Sequence, residues 1–322
     1  MTKESNMQRI WTALLVVTAC LLGTAAVRAD EKPVTHRVLG CDKGKVTIVN
    51  AKGEVEWQAD CPTTAHDVVM LPNGNVVIPI SATTLVELSP DKQIVWKHES
   101  KPKDGYSGHV EIHGFERLKN GLTVIGETGN TRIIEVDKDD RIVLEVPYTV
   151  DHEDTHRDNR MLRKLDNGHY LVCHEGDGAV REYDGTGKVV WSYKLDLDGR
   201  PAEGSHQGHG THVFGAIRLK NGNTLIAAGD GNRVIEVTPD NKVVWKLDYN
   251  ELPGIRLYWV TTLQVLPNGH IVIGNTHAGP DNPQLIEVTR DKQVVWTFKN
   301  FDIFGNDLCA TQLLDIKGKV IR

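Results

Sequence analysis

The chain has no tract of Lys or Arg, no adjacent or Cys-x-x-Cys pair of cysteines, and only 6% aromatic residues. The first absence removes the electrostatic footprint expected of a partner for nucleic acid or an anionic membrane. The formal charge is -6, and residues 1–29 carry three cations against Glu4, so the remainder stands at -8. No Ser-His-Asp pattern and no phosphate-cradling glycine loop is present. Fragments such as Gly176-Asp177-Gly178 and Gly229-Asp230-Gly231 lack the spaced acidic set of a calcium loop and read as tight turns. No segment holds a helical period, and no apolar stripe argues for an oligomer. What remains, at 39% hydrophobic and 25% charged residues, suits a globular domain.

The N-terminus reads as an export signal: MTKESNMQR is charged, IWTALLVVTACLLGTAAV is apolar, and Val27-Arg28-Ala29 offers a small-x-Ala cleavage pattern. This predicts a signal peptide over residues 1–29, a secreted or periplasmic protein, and no membrane span after cleavage. Two alternatives remain, a retained anchor and a lipoprotein box ending at Cys20. Export permits disulfides among Cys41, Cys61, Cys173 and Cys309. A Cys61–Cys309 bridge fastening the two ends is one expectation; Cys41 and Cys173 are placed too far apart to pair.

Five Asn-Gly turns recur, LPNGN at 71, LKNGL at 118, LDNGH at 165, LKNGN at 219 and LPNGH at 266, with spacings of 47, 47, 54 and 47 residues. Between them Trp57, Trp96, Trp191, Trp245 and Trp296 occupy one repeat position, filled by Leu144 in the third unit. Each unit reads as four short strands, with Asn-Gly as a two-residue hairpin turn. A period of this length with four strands per unit is the signature of a propeller blade. The end segments together make one further unit, with QLLDIKGKVIR completing the blade begun by HRVLGC, KVTIVN and EVEWQA. The expected fold is all-β: one domain over residues 30–322, a six-bladed β-propeller of four antiparallel strands per blade, its ring closed by N- and C-terminal strands sharing one blade.

LPNGNVVI followed by VIEVTPDNKVVW resembles the six-bladed propellers of the arylsulfotransferase family and the wider quinoprotein-like (PQQ-like) propellers. AHDVVMLPNG is also similar to the His-Asp strand start of arylsulfotransferases. REYDGTGKVVW resembles the tryptophan-docking motif of quinoprotein dehydrogenases, but those carry an adjacent Cys pair near the quinone. With none here, bound PQQ is not expected.

In a four-strand blade the Asn-Gly turns and the PDK-type turns share one plain face, and the other loops and crossings share the opposite face. Ten of the 14 histidines map to that opposite face, and GSHQGHGTH at 204–212 lies in the one enlarged crossing. His66, His113 and Arg160 stand five residues before Leu71, Leu118 and Leu165, a position that starts the innermost strand; Phe214 and Thr261 fill it in the next units. His109, His174, Glu127 and His212 are placed near the same rim. Arg256, Tyr258 and Trp259 supply a cation and an aromatic wall, with Asn275 and His277 on a neighbouring loop. His152, His156, His206 and His209 are placed farther out.

Three chemistries fit. The arylsulfotransferase resemblance implies sulfuryl transfer from an aryl sulfate to a phenol through a histidine, with His66 and His113 matching by motif position and Arg160 and His212 assisting. A divalent transition metal on His109, His113, His206, His209 and His212 is the second, although Arg160 in the ring argues for an anion rather than a cation. Lyase or hydrolase chemistry on an acidic saccharide uses the same residues, with His as base and Arg on the carboxylate. In the third nothing is catalysed, and the propeller is a platform for an anionic ligand or a protein. The sequence therefore predicts a His/Arg-lined axial site for a small anionic molecule.

Overall fold

A computed structural model of the chain describes residues 34–199, 213–229 and 231–322, and residues 34–322 form one compact unit. The expected signal peptide and His206, His209 and His212 lie outside the described residues. Six four-stranded antiparallel sheets follow one another. Blade 1 holds β1 (Val38–Asp42), β2 (Lys45–Val49) and β3 (Val55–Asp60); blade 2 holds β4 (Val69–Met70), β5 (Val76–Pro79), β6 (Thr84–Leu88) and β7 (Ile94–Glu99). Blade 3 holds β8 (Glu111–Arg117), β9 (Thr123–Thr128), β10 (Arg132–Val136) and β11 (Ile142–Pro147). Blade 4 holds β12 (Met161–Lys164), β13 (Tyr170–His174), β14 (Ala179–Tyr183) and β15 (Val189–Lys194). Blade 5 holds β16 (Gly215–Arg218), β17 (Thr224–Ala227), β18 (Val234–Val237) and β19 (Val243–Leu247). Blade 6 holds β20 (Trp259–Val265), β21 (Ile271–Thr276), β22 (Leu285–Val288) and β23 (Val294–Phe298). The last strand, β24 (Ala310–Leu313), pairs with β1 and completes blade 1 from the far end of the sequence. The expected six-bladed ring is the observed one, closed by strands from both ends.

The Asn-Gly turns differ in detail from the expected two-residue hairpins. Only the glycines take positive φ, 86° at Gly74 and 89° at Gly121, while the asparagines do not. Gly74 donates its N–H to the Leu71 carbonyl, and Leu71 N–H donates to Asn75. This is a type I turn closed by a glycine bulge, a three-residue loop. Asparagine recurs for another reason: its side-chain oxygen accepts the N–H two residues on, as Asn73 does from Asn75 at 3.0 Å and Asn268 from His270 at 3.0 Å.

Two repeated side chains join the blades. The indole of Trp57 donates to the Pro90 carbonyl of the next blade at 2.8 Å, Trp96 to Asp137 at 3.1 Å, Trp191 to Pro239 at 3.0 Å and Trp245 to Arg290 at 2.8 Å. Arginines lie over several of these rings, Arg218 at 4.9 Å from the Trp191 centroid. A buried glutamate on the third strand does the same work between blades: Glu87 pairs with Arg117 at 2.8 Å, Glu182 with Arg218 at 2.7 Å and Glu287 with His36 at 2.8 Å. Apolar clusters fill the space between the sheets, as where Ile217, Leu225 and Val234 of blade 5 meet Val260, Ile271 and Ile286 of blade 6.

All four described cysteines are buried free thiols, so the expected Cys61–Cys309 bridge is not formed. Cys61 follows β3 and packs with Cys41 in one apolar cluster, whereas Cys309 packs with Met161, Phe214 and Trp259 in another. Strand β3 ends over the β1–β2 turn, where Cys61 N–H donates to the Gly44 carbonyl, and this places it beside Cys41.

Candidate functional site

The innermost strands deliver His66, His113 and Arg160 to one place. The β8–β9 register shifts between Ile112 and Phe115, and this bulge contains His113 and Gly114. A bulge re-aims the side chain it carries. Glycine is required beside it, because a Cβ at Gly114 would stand 2.7 Å from the Leu162 backbone nitrogen of the next blade.

The contacts form a chain. Arg160, fully buried, is ion-paired through Nε with Glu175 and donates from Nη1 to His66 Nε2 at 3.1 Å. His66 Nδ1 lies 2.7 Å from His113 Nδ1, and His113 Nε2 lies 2.6 Å from Glu111 Oε2. A guanidinium only donates, so His66 Nε2 is the acceptor and the His66 proton sits on Nδ1. His113 Nδ1 then accepts, and its own proton, on Nε2, is donated to the Glu111 carboxylate. Arg160 thereby fixes the tautomers of both histidines.

Glu111 is the hub. It also accepts from half-exposed His156 (Nδ1 to Oε2, 2.9 Å) and from exposed His109 (Nε2 to Oε1, 2.9 Å). Burial would raise its carboxyl, but the hydrogen bonds from His113 and His156 outweigh it and hold Glu111 well below the usual carboxylate range. Burial pushes the His113 imidazole down to about 4, with Arg160 adding to the depression against the pull of Glu111. The rings of His66, His113 and His156 gather within 4.6–6.2 Å of one another, centroid to centroid. Phe214, 5.9 Å from His66, and Trp259, 5.3 Å from Phe214, form an apolar wall.

Asp67, beside His66, serves a different end: its carboxylate holds Arg163 at 2.7 Å and Arg322 at 2.6 Å. In the His-Asp strand start, then, the histidine enters the cluster and the aspartate anchors two arginines outside it.

The structure brings together His66, His109, His113 and Arg160 from the expected set and keeps others apart. His174 is fully buried, with Nδ1 on the Asp158 carbonyl at 2.6 Å and Nε2 against the Tyr183 hydroxyl at 2.8 Å. Glu127 is enclosed by Asn130 and Arg132 of blade 3 and by His98 of blade 2. Asn275 is spent on backbone, accepting from Tyr258 N–H and donating to the Arg256 and Pro283 carbonyls. Arg256 lies over the rings of Tyr249 and Tyr258. His277 stacks on Trp259 at 4.8 Å and reaches Asp307 at 2.8 Å. His156, which the sequence places farther out, lies 5.1 Å from His113. Sequence reasoning missed Glu111 and Glu175. The Glu-x-His spacing of Glu111 and His113 was the available signal, because alternation alone puts both on one side of a strand. Arg160 does not exclude a cation here, since Glu175 is paired with its guanidinium.

A family model described as outer membrane protein assembly factor BamB matches residues 42–298. The chain belongs to this family. Its fold is thus a PQQ-like propeller of the BamB type, and among the described residues no helix is long and apolar enough to cross a membrane. A protein of unknown function from Bacteroides caccae is 22% identical, with a TM-score of 0.73 over 88% of this chain and 100% of its own. A streptogramin B lyase is 14% identical, with a TM-score of 0.54 over 83% of both chains. A catalytically inactive virginiamycin B lyase from Staphylococcus aureus with quinupristin is also 14% identical, TM-score 0.53, over 82% of this chain and 84% of its own. These likenesses show the fold alone, and the arylsulfotransferase resemblance is not shown by them. No curated protein matches the chain.

Proposed function

We propose that this is an exported, envelope-located propeller whose axial cluster performs acid–base chemistry, of the lyase or hydrolase class, on a small acidic ligand. The observation that carries the reading is Arg160: completely buried among imidazoles, it keeps Nη2 without a hydrogen-bond partner. A buried donor left unmade costs about 1–3 kcal/mol, and a carboxylate or sulfate oxygen would satisfy it. The base is an imidazole oriented by Glu111, as exposed His109 is at 2.9 Å. A carboxylate on one ring nitrogen fixes the tautomer and strengthens the ring as a base. Sulfuryl transfer through His66 or His113 has less support, because His66 Nε2 and His113 Nδ1 are each already accepting a hydrogen bond. The BamB description supports a second reading, a non-catalytic platform, on which the same cluster only binds.

The test is turnover. Uronic-acid oligosaccharides are incubated with the protein and new unsaturation or reducing ends are followed, with aryl sulfates plus a phenol assayed in parallel. The expected result is cleavage of the acidic saccharide that falls at least ~100-fold in Glu111→Gln. Sulfuryl transfer with a covalently labelled histidine would replace this reading, and saccharide binding without turnover would establish the platform.

A further inference from the structure

Among the described residues of the cluster, two carboxylates, Glu111 and Glu175, face one guanidinium, that of Arg160. A site meant for an acidic ligand lacks positive charge unless something supplies it. The mouth holds the means. Single donor atoms of Glu111, His113 and His156 all lie within 4.8 Å of one another, and two neutral imidazoles with one carboxylate are a common donor set for zinc-like ions.

We propose that Glu111, His113 and His156 bind one divalent transition metal of the zinc class, and that binding reverses the tautomers of His113 and His66 and so releases Arg160 for the ligand. The inference rests on the acidic-ligand reading above and deepens it. His113 Nε2 points at Glu111 and carries a proton in the metal-free chain, so coordination expels that proton to solvent. His113 then takes the proton from His66 Nδ1, and His66 regains one from solvent at Nε2. Coordination through His156 Nδ1 likewise sends that ring's proton to solvent, and His156 regains one at Nε2, so no net proton is lost. Nε2–H of His66 now faces Arg160 Nη1–H, donor against donor, and the 3.1 Å contact must open. Arg160 then offers Nη1 together with the already unpartnered Nη2, a two-pronged donor suited to a planar carboxylate or to sulfate. Glu175 stays on Nε and screens the guanidinium from the metal. The incoming dication adds positive charge beside the guanidinium.

The experiment uses chelator-treated, untagged full chain titrated with zinc alone, with histidine tautomers read by long-range proton–nitrogen NMR and inorganic sulfate as the anion probe. One zinc per chain is expected. Binding should weaken at least ~10-fold in Glu111→Gln and in His156→Gln, the latter altering only a half-exposed loop residue. Zinc should move the His66 proton from Nδ1 to Nε2 and tighten sulfate binding. No stoichiometric zinc in the wild type overturns the metal site, and zinc binding with unchanged His66 and His113 tautomers overturns the relay. If zinc binds and the tautomers switch but sulfate never binds, the metal site and relay stand and the acidic-ligand reading fails.

Discussion

The Nδ1 atoms of His66 and His113 stand 2.7 Å apart, a distance at which one must carry a proton and the other must not. Arg160 decides which, because its N–H on His66 Nε2 leaves only Nδ1 for the His66 proton. In the metal-free chain, nitrogen shifts should therefore report Nδ1–H on His66 and Nε2–H on His113. Observation of Nε2–H on His66 would break the chain of hydrogen bonds at its first link.

The repeated tryptophan is a rivet between blades. Trp191→Phe keeps most of the ring but loses the N–H bond to Pro239 and part of the attraction to Arg218. A hydrogen bond is worth about 1 kcal/mol and a partly exposed cation–π pair about 0.5–1 kcal/mol. Urea unfolding should show a loss of roughly 1–2 kcal/mol. An unchanged midpoint would mean that the ring alone, by its contact area, does the joining.

The ring was legible in the sequence because its signals are local and repeated: an Asn-Gly turn and a tryptophan return in register, each with a short-range cause. The three axial residues were legible for the same reason, as one position before Leu71, Leu118 and Leu165. Glu111 was not, because the bulge at His113 and Gly114 that gathers the cluster is a tertiary feature set by the close approach of blade 4. His174 and Glu127 misled in the opposite way. Both sit at strand ends near the expected rim, yet their partners, Tyr183 and Arg132, lie within the blades and carry no sequence mark. The glutamates that join blades were invisible too, since Glu182 and Arg218 lie on different blades and meet only when blades 4 and 5 pack.

Cysteine pairing follows the same lesson. Cys41 and Cys61 pack in one apolar cluster, and the neighbouring Cys41 thiol draws Cys61 below its ordinary value against the effect of burial. Incubation with oxidised glutathione should link Cys41 to Cys61, seen as a joined peptide after non-reducing digestion. Closing a loop of about 20 residues is worth roughly 3 kcal/mol, so the melting temperature should rise. A Cys61–Cys309 peptide would show that the blades move far more than their packing implies.

Ring closure should depend on pH through His36. This buried imidazole, just before β1, meets Glu287 of blade 6 at 2.8 Å and Asp315 at 3.3 Å, and Glu287 also accepts from His270 at 2.6 Å. Burial alone would lower His36, but its bonds to Glu287 and Asp315 outweigh that and raise it. Burial would raise Glu287, and its two histidines lower it instead. A histidine raised on folding adds stability that is complete below its unfolded value, about 6.5, and that fades as pH rises through the folded one. A glutamate lowered on folding adds stability that is complete above about 4.3 and fades as pH falls through its folded value. The contribution is therefore greatest between roughly pH 4.5 and 6.5. Relative to His36→Gln, the wild type should gain roughly 1.5–3 kcal/mol in that window, the worth of a hydrogen bond to a charged group, and the gain should shrink by pH 8–9. Urea midpoints of both proteins across pH 4–9 measure it. A difference that stays level across this range would mean that His36 closes the ring as a neutral ring, through its 4.7 Å edge contact with Trp296.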